Sequence, residues 1–198
     1  MVDFGSGSIG VWTGGAHATT GAPLDTADVL IVGDSITTLG REELTSALAA
    51  EGKTLAVNYW SGRPTQQAVD YVLSATILPP ILVMACGTND VYTPTAMDAQ
   101  IHRLTDVILP GVEHLIWVDV QVSRPSYALA DQRNGGFINA QIRNILDPAN
   151  VVPWSEWFAK DPGRISYYLD SGGVHPKDGV GTLFWAEVIM KILRPLFV

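Results

Sequence analysis

The sequence predicts a three-layer α/β/α sandwich built on a five-stranded parallel sheet. Two observations carry the prediction. Short, nearly unbroken apolar runs recur along the chain, and each is followed by a segment long enough to form a crossover helix. A strand covered by helices on both faces loses the in/out alternation of a half-buried strand and becomes continuously apolar.

The strands are read in order from "VLIVG" (29–33), "TLAVNYW" (54–60), "PILVMACG" (80–87), "HLIWVDVQV" (114–122) and "NVVPW" (150–154). Between them lie helical segments. "REELTSALAAEG" (41–52) has Gly52 placed to stop it, and it is followed by "PTQQAVDYVLSAT" (64–76), "TAMDAQIHRLTDVIL" (95–109) and "GGFINAQIRNIL" (135–146). A final helix is read in "VGTLFWAEVIMKILRPLF" (180–197). Residues 1–27, rich in Gly, Ser, Thr and Ala, read as an irregular N-terminal arm that Phe4, Ile9, Val11 and Trp12 could pin to a single domain over 28–198. The chain contains no internal repeat.

Composition bounds the function. A chain of 198 residues with 47% hydrophobic and 16% charged residues has enough apolar content for one substantial core. Its net charge of −8 and scattered Lys and Arg argue against nucleic acid or an anionic membrane as partner. No apolar run approaches the roughly 20 residues needed to span a bilayer. The opening residues lack the basic and apolar regions of a signal peptide, and the compartment stays open, as does the oligomeric state. A single cysteine, Cys86, excludes an internal disulfide and reads as a packing residue at a strand end. Asp34, Asp90 and Asp98 fall in no metal-binding spacing, so no metal is expected.

In an open parallel sheet the ligand crevice lies beyond the carboxyl ends of the strands. The residues there are small or polar: Asp34 and Ser35 after the first run, Ser61-Gly62-Arg63 after the second, and Gly87-Thr88-Asn89-Asp90 after the third. "SRPSY" follows the fourth, and "DSGGVHPKDG" brings His175 just before the last helix. Taken singly, Ser35 can be an N-cap, Gly62 a turn glycine, Asn89 an Asx-turn residue and His175 a loop histidine. Their joint occurrence at successive strand ends is harder to assign to turns and caps alone.

These blocks resemble the SGNH or GDSL-type hydrolases over about residues 28–195. "GDSIT" (33–37) matches the nucleophile block, Gly62 in "YWSGRPT" the second, "GTND" (87–90) the third and "GVHP" (173–176) the histidine block. The resemblance implies a flavodoxin-like fold and serine-dependent acyl chemistry with no cofactor. "GRPT", "WVDVQVSRP" and "VVPWSEW" look more like the extracytoplasmic glycan O-acetyltransferase and esterase branches than like the lipases.

The residue types assemble the same chemistry. A serine hydroxyl needs a base within hydrogen-bond reach, and the base needs orienting. His175 is the best placed of the four histidines, because His17 lies in the arm and His102 and His114 sit away from the crevice. Charge developing on an ester carbonyl oxygen can be met by the Ser35 and Gly62 N–H groups and the Asn89 side-chain amide. The family acid stands three residues before the histidine, where this chain has Gly172. Asp170, five before His175, is the expected orienting acid, with a main-chain carbonyl near Gly172 or Asp178 as alternatives. Trp60 and Arg63, beside the second block, are candidate substrate contacts. Trp60 can stack on a sugar ring, and Arg63 can meet a polar group or stand as a solvated loop arginine. Trp117 and Trp185 read as core.

The expected function is therefore a serine esterase cleaving a small acyl ester, acetyl above all, on a small molecule or a glycan. An O-acyltransferase using the same residues, or a non-catalytic binding module that keeps the fold, are the alternatives.

Overall fold

The computed structural model describes residues 18–197. Its sheet has six strands in the order β1-β3-β2-β4-β5-β6, formed by β1 (Ala18–Gly21), β2 (Val29–Gly33), β3 (Leu55–Tyr59), β4 (Ile81–Ala85), β5 (His114–Val118) and β6 (Val151–Val152). The expected five are all present and parallel. The sixth, β1, pairs antiparallel with β3 at the sheet edge, so residues 18–21 belong to the sheet and not to an irregular arm. Its sequence, Ala-Thr-Thr-Gly, carries no apolar run because an exposed edge strand need not bury both faces. The arm's remaining anchors, Phe4, Ile9, Val11 and Trp12, lie outside the described residues, as does His17.

Seven helices flank the sheet among the described residues: α1 (Ser35–Ala50), α2 (Thr65–Ser74), α3 (Met97–Thr105), α4 (Ala128–Ile145), α5 (Trp154–Ala159), α6 (Gly163–Tyr168) and α7 (Val180–Leu193). Side chains alternate across each strand, so one apolar run supplies two cores. Leu30 and Val32 of β2 join Val69, Ile101 and Ile138 in the core under α2, α3 and α4. Val29 and Ile31 join Leu44, Trp154, Trp185 and Ile189 under α1, α5 and α7. Trp117 and Trp185 are core residues, as expected, with 0% and 1% exposure. No described helix is long and apolar enough to cross a membrane.

α1 begins at Ser35, before the expected Arg41, because Asp34 caps it by accepting the Ile36 N–H at 2.9 Å. α4 likewise starts ahead of Gly135. The short helices α5 and α6 fall in a polar-aromatic stretch without a clear 3.6-residue period.

The strand order matters for the site. β2 has β3 on one side and β4 on the other, so the chain leaves β2 at the point where the order of strands reverses. Helices that follow neighbouring strands depart to opposite faces there, which opens a crevice.

Candidate active site

Strand register brings the first three blocks together. Gly33 pairs with Tyr59 of β3 and with Ala85 of β4, so Asp34-Ser35 leaves the sheet between Trp60-Ser61-Gly62 and Cys86-Gly87-Thr88-Asn89. Ser35 opens α1 and is half-buried at the crevice. Gly62 is the third residue of a turn closed by the Arg63 N–H donating to the Trp60 carbonyl at 3.2 Å. Its φ of +80° is the value that position of a type II turn demands, so glycine is a backbone requirement there. Neither the Ser35 N–H nor the Gly62 N–H has an acceptor among the described residues. Asn89 lies in a 3-10 helix, Thr88–Tyr92, directly after β4. Its Nδ2 donates to the Arg63 carbonyl at 3.2 Å and to Asp34 Oδ2 at 3.4 Å. Both bonds are longer than the usual 2.9–3.0 Å or so, and together they aim the amide from blocks one and two.

The histidine arrives on a hairpin-like loop. Leu169 and Pro176 form an antiparallel bridge, the Asp170 N–H donates to the His175 carbonyl at 2.8 Å, and the Gly173 N–H closes the turn on the Asp170 carbonyl at 3.0 Å. Asp170 and His175 are thus opposite each other across the turn. This geometry explains how an acid at an unusual spacing reaches the imidazole. The Ser123 N–H, at the exit of β5, donates to the Gly173 carbonyl at 2.9 Å and ties the loop to the sheet. Gly173 has φ +69°, and a Cβ there would collide with the Ser123 carbonyl.

Across the crevice, Ser35 Oγ and His175 Nε2 are 2.9 Å apart. On the far side of the ring, His175 Nδ1 lies 3.6 Å from Asp170 Oδ2, within ion-pair range and beyond a direct hydrogen bond, with the two side chains 39% and 43% exposed. Asp178 makes no ion pair with His175 among the described residues. The structure therefore brings together Ser35, Gly62, Asn89, His175 and Asp170.

Arg63 and Trp60 are corrected. The Arg63 side chain is 0% exposed, neither a solvated loop residue nor a group able to touch a ligand. Its guanidinium donates to Asn58 Oδ1 at 2.6 Å and to the Gln67 carbonyl at 3.0 Å, and it lies 5.5 Å from the ring centroids of Trp60 and Tyr71. Burial lowers its pKa, opposed by the nearby Asp34 carboxylate among other groups. Trp60 is 6% exposed and has no face free for a sugar. Both side chains turn inward because the type II turn projects only Ser61 and Gly62 outward. Arginine is buried so rarely that sequence reasoning places it outside by default.

Asp34 is the residue whose role sequence reasoning understated. Beyond capping α1, its wholly buried carboxyl faces Asn89. Burial raises its pKa to about 7, and the negative charge of Asp90 adds to the rise, against the Ile36 N–H, which lowers it. A carboxyl whose folded pKa lies above its ordinary value of 3.8 binds its proton more tightly in the folded state. The stability it contributes is complete below the unfolded value and is lost as pH rises through the folded one. Urea unfolding should accordingly show the wild type losing stability between about pH 4 and pH 7, by on the order of a few kcal/mol from this group. In Asp34→Asn that decline should be visibly flatter, and identical pH slopes for the two proteins would show that Asp34 does not titrate in this window.

No family model matches the chain, and no curated protein is significantly similar to it in sequence. Solved structures do match. The C-terminal catalytic domain of the peptidoglycan O-acetyltransferase A of Streptococcus pneumoniae superposes with a TM-score of 0.64 at 17% identity, covering 85% of this chain and 93% of that one. A variant of an acetyl xylan esterase from Geobacillus stearothermophilus gives 0.65 at 16%, covering 85% and 94%. A GDSL-like lipase from Bacteroides thetaiotaomicron gives 0.66 at 17%, covering 88% and 91%. The chain has the SGNH/GDSL-type hydrolase fold that its sequence blocks predict, shared by esterases, lipases and an acetyltransferase domain.

Proposed function

We propose that the protein is a serine esterase that cleaves a small acyl ester, acetyl in the first instance, through an acyl-enzyme on Ser35. The observation that carries this reading is the 2.9 Å contact between Ser35 Oγ and His175 Nε2 at the mouth of a crevice where two main-chain N–H groups lack acceptors among the described residues. The same contact supports one order of proton transfers. Ser35 Oγ attacks the ester carbonyl carbon while its proton passes to His175 Nε2, and Asp170 stabilises the resulting imidazolium from the Nδ1 side. The carbonyl oxygen becomes an oxyanion that the Ser35 and Gly62 N–H groups receive, joined by Asn89 Nδ2 as one of its two N–H groups turns from its long bond to Asp34 or Arg63. As the tetrahedral intermediate collapses, the C–O bond to the alcohol breaks and the proton on Nε2 goes to the departing oxygen. Water then repeats the sequence, with His175 as base, to release the carboxylic acid and regenerate Ser35.

A carbohydrate as the alcohol part is supported by the glycan-directed proteins that share the fold, the acetyl xylan esterase and the peptidoglycan O-acetyltransferase. Turnover of p-nitrophenyl acetate, with and without a sugar acceptor, tests the reading. Release of p-nitrophenol with formation of free acetate supports hydrolysis. Acetate transferred to the acceptor would make the protein a transferase, and no turnover together with no labelling of Ser35 by a serine-directed phosphonate would refute the acyl-enzyme.

The donors have their own test. Asn89→Ala should lower kcat by about 10² to 10³ with little change in KM, because the amide bonds most strongly to the charge that develops in the transition state. A change confined to KM would make Asn89 a ground-state substrate contact instead.

A further inference from the structure

Past the exit of β5 an open groove of about 630 Å³ runs between α4 and the α5–α6 pair. That volume is in the range of ordinary ligand sites. Ser123 lines it and also holds the histidine loop through its bond to the Gly173 carbonyl, two residues before His175. Building on the esterase reading, we infer that this groove seats the alcohol part of the ester, and that this part is an uncharged oligosaccharide.

The lining chemistry supports that class of ligand. The charged side chains along the groove are already engaged with each other or with neighbours: Asp131 with Arg124 at 2.5 Å, Arg143 with Asp119 and Glu156, and Glu156 with Lys160. A charged ligand would find each of these groups already facing an opposite charge. What remains open is neutral and can both donate and accept. Gln132 is exposed in the wall, and Gln121, 9% exposed, donates from Nε2 to Ser123 Oγ at 2.8 Å while its carbonyl oxygen has no partner among the described residues. Accessible apolar surface from Ala159, Pro162 and Ile165 lies beside these groups, as the C–H faces of sugar rings require, and an acyl chain would leave the amides unsatisfied.

The wall itself is the second observation. Gly135 and Gly136 sit in the middle of the 18-residue α4, where glycine is a poor helix former. Packing does not ask for either. A Cβ at 135 would lie 3.9 Å from the Val120 carbonyl oxygen, and one at 136 would meet nothing within 4 Å. What the pair does is leave the α4 wall bare where the groove runs past it.

Gly136→Trp fills the groove from a position that has room for a side chain and gains helix propensity, so folding is not at issue. For an acetylated xylotetraose, the variant should raise KM at least tenfold more than for p-nitrophenyl acetate. Equal changes for the two esters, or none, would overturn the inference, as would a plug that selectively impairs p-nitrophenyl octanoate, which would place the acyl chain in the groove. A binding measurement separates this from the esterase reading itself. Xylotetraose titrated into Ser35→Ala protein should shift the side-chain amide resonances of Gln121 and Gln132 saturably, and the Ser35→Ala/Gly136→Trp protein should lose those shifts. Their absence at tens of millimolar sugar, or their persistence in the double variant, rejects the groove even if esters are turned over. Saturable, plug-sensitive binding by a protein that turns over no ester would uphold the groove and reject the esterase.

Discussion

On the proposed acyl-enzyme mechanism, Ser35→Ala should lower kcat for p-nitrophenyl acetate by about 10⁵ to 10⁶, to near the level left by oxyanion donors and binding alone. The size follows from the acyl-enzyme: without Oγ no covalent intermediate forms, and His175 can at best activate a water that the crevice was not shaped to hold. The fold should not change. Ser35 is the first residue of α1, but the cap is Asp34, whose Oδ1 still accepts the Ile36 N–H, and among the described residues the one hydrogen bond lost is the Oγ contact to His175. The melting temperature should therefore stay within a few degrees of wild type, on the expectation that about 1 kcal/mol moves a chain of this size by ~2–4 °C. A folded Ser35→Ala protein with near-wild-type turnover would end the serine-hydrolase reading. Loss of both activity and melting transition would mean that the substitution had reported on stability, and labelling of wild-type Ser35 by phosphonate would then decide the matter.

Asp170→Asn is the second large effect expected, a fall in kcat of about 10³, short of the roughly 10⁴ seen when the acid of a buried, tightly bonded triad is replaced. Two features set the size. The Nδ1 to Oδ2 separation of 3.6 Å is loose and both side chains are about two-fifths exposed, so water screens part of the attraction. Against that, Asp170 is the acid facing the imidazole, and its backbone clamps the loop through the bonds at 2.8 and 3.0 Å to His175 and Gly173. An asparagine keeps the backbone clamp and the length of the side chain, so the variant isolates the charge. A loss smaller than about tenfold, with the fold intact, would show that Ser35 and His175 act as a dyad and that the carboxylate contributes position more than charge.

Much of the fold was legible because burial writes itself into composition. Strands covered on both faces had to be almost continuously apolar, and "VLIVG" or "PILVMACG" can hardly be read otherwise. β1 escaped because an edge strand exposed to solvent has no such obligation, and α5 and α6 escaped because helices of six residues are too short to display a period. The main site residues were legible for a related reason. Ser35, Gly62 and Asn89 each follow a strand, and strand ends converge in any sheet of this kind, so their position along the chain implied their position in space.

Side-chain direction was a different matter. Arg63 and Trp60 stand close to Gly62 in the chain, yet the turn sends them into the core while it leaves Gly62 partly exposed, and only the three-dimensional path of that turn assigns inside and outside. The same holds for Asp170, whose distance from His175 along the chain says nothing until the Leu169–Pro176 bridge folds the loop and sets the two side chains face to face. The sequence by itself determined the layers, the strand-end crevice and the candidate pair Ser35 and His175, because hydrophobic periodicity and strand-end placement are local properties of a chain. The tertiary structure decided which acid meets the histidine, that Asp34 aims Asn89, that Arg63 is buried, and that a groove lies beyond β5, because each depends on contacts between residues that only strand register and loop closure bring together.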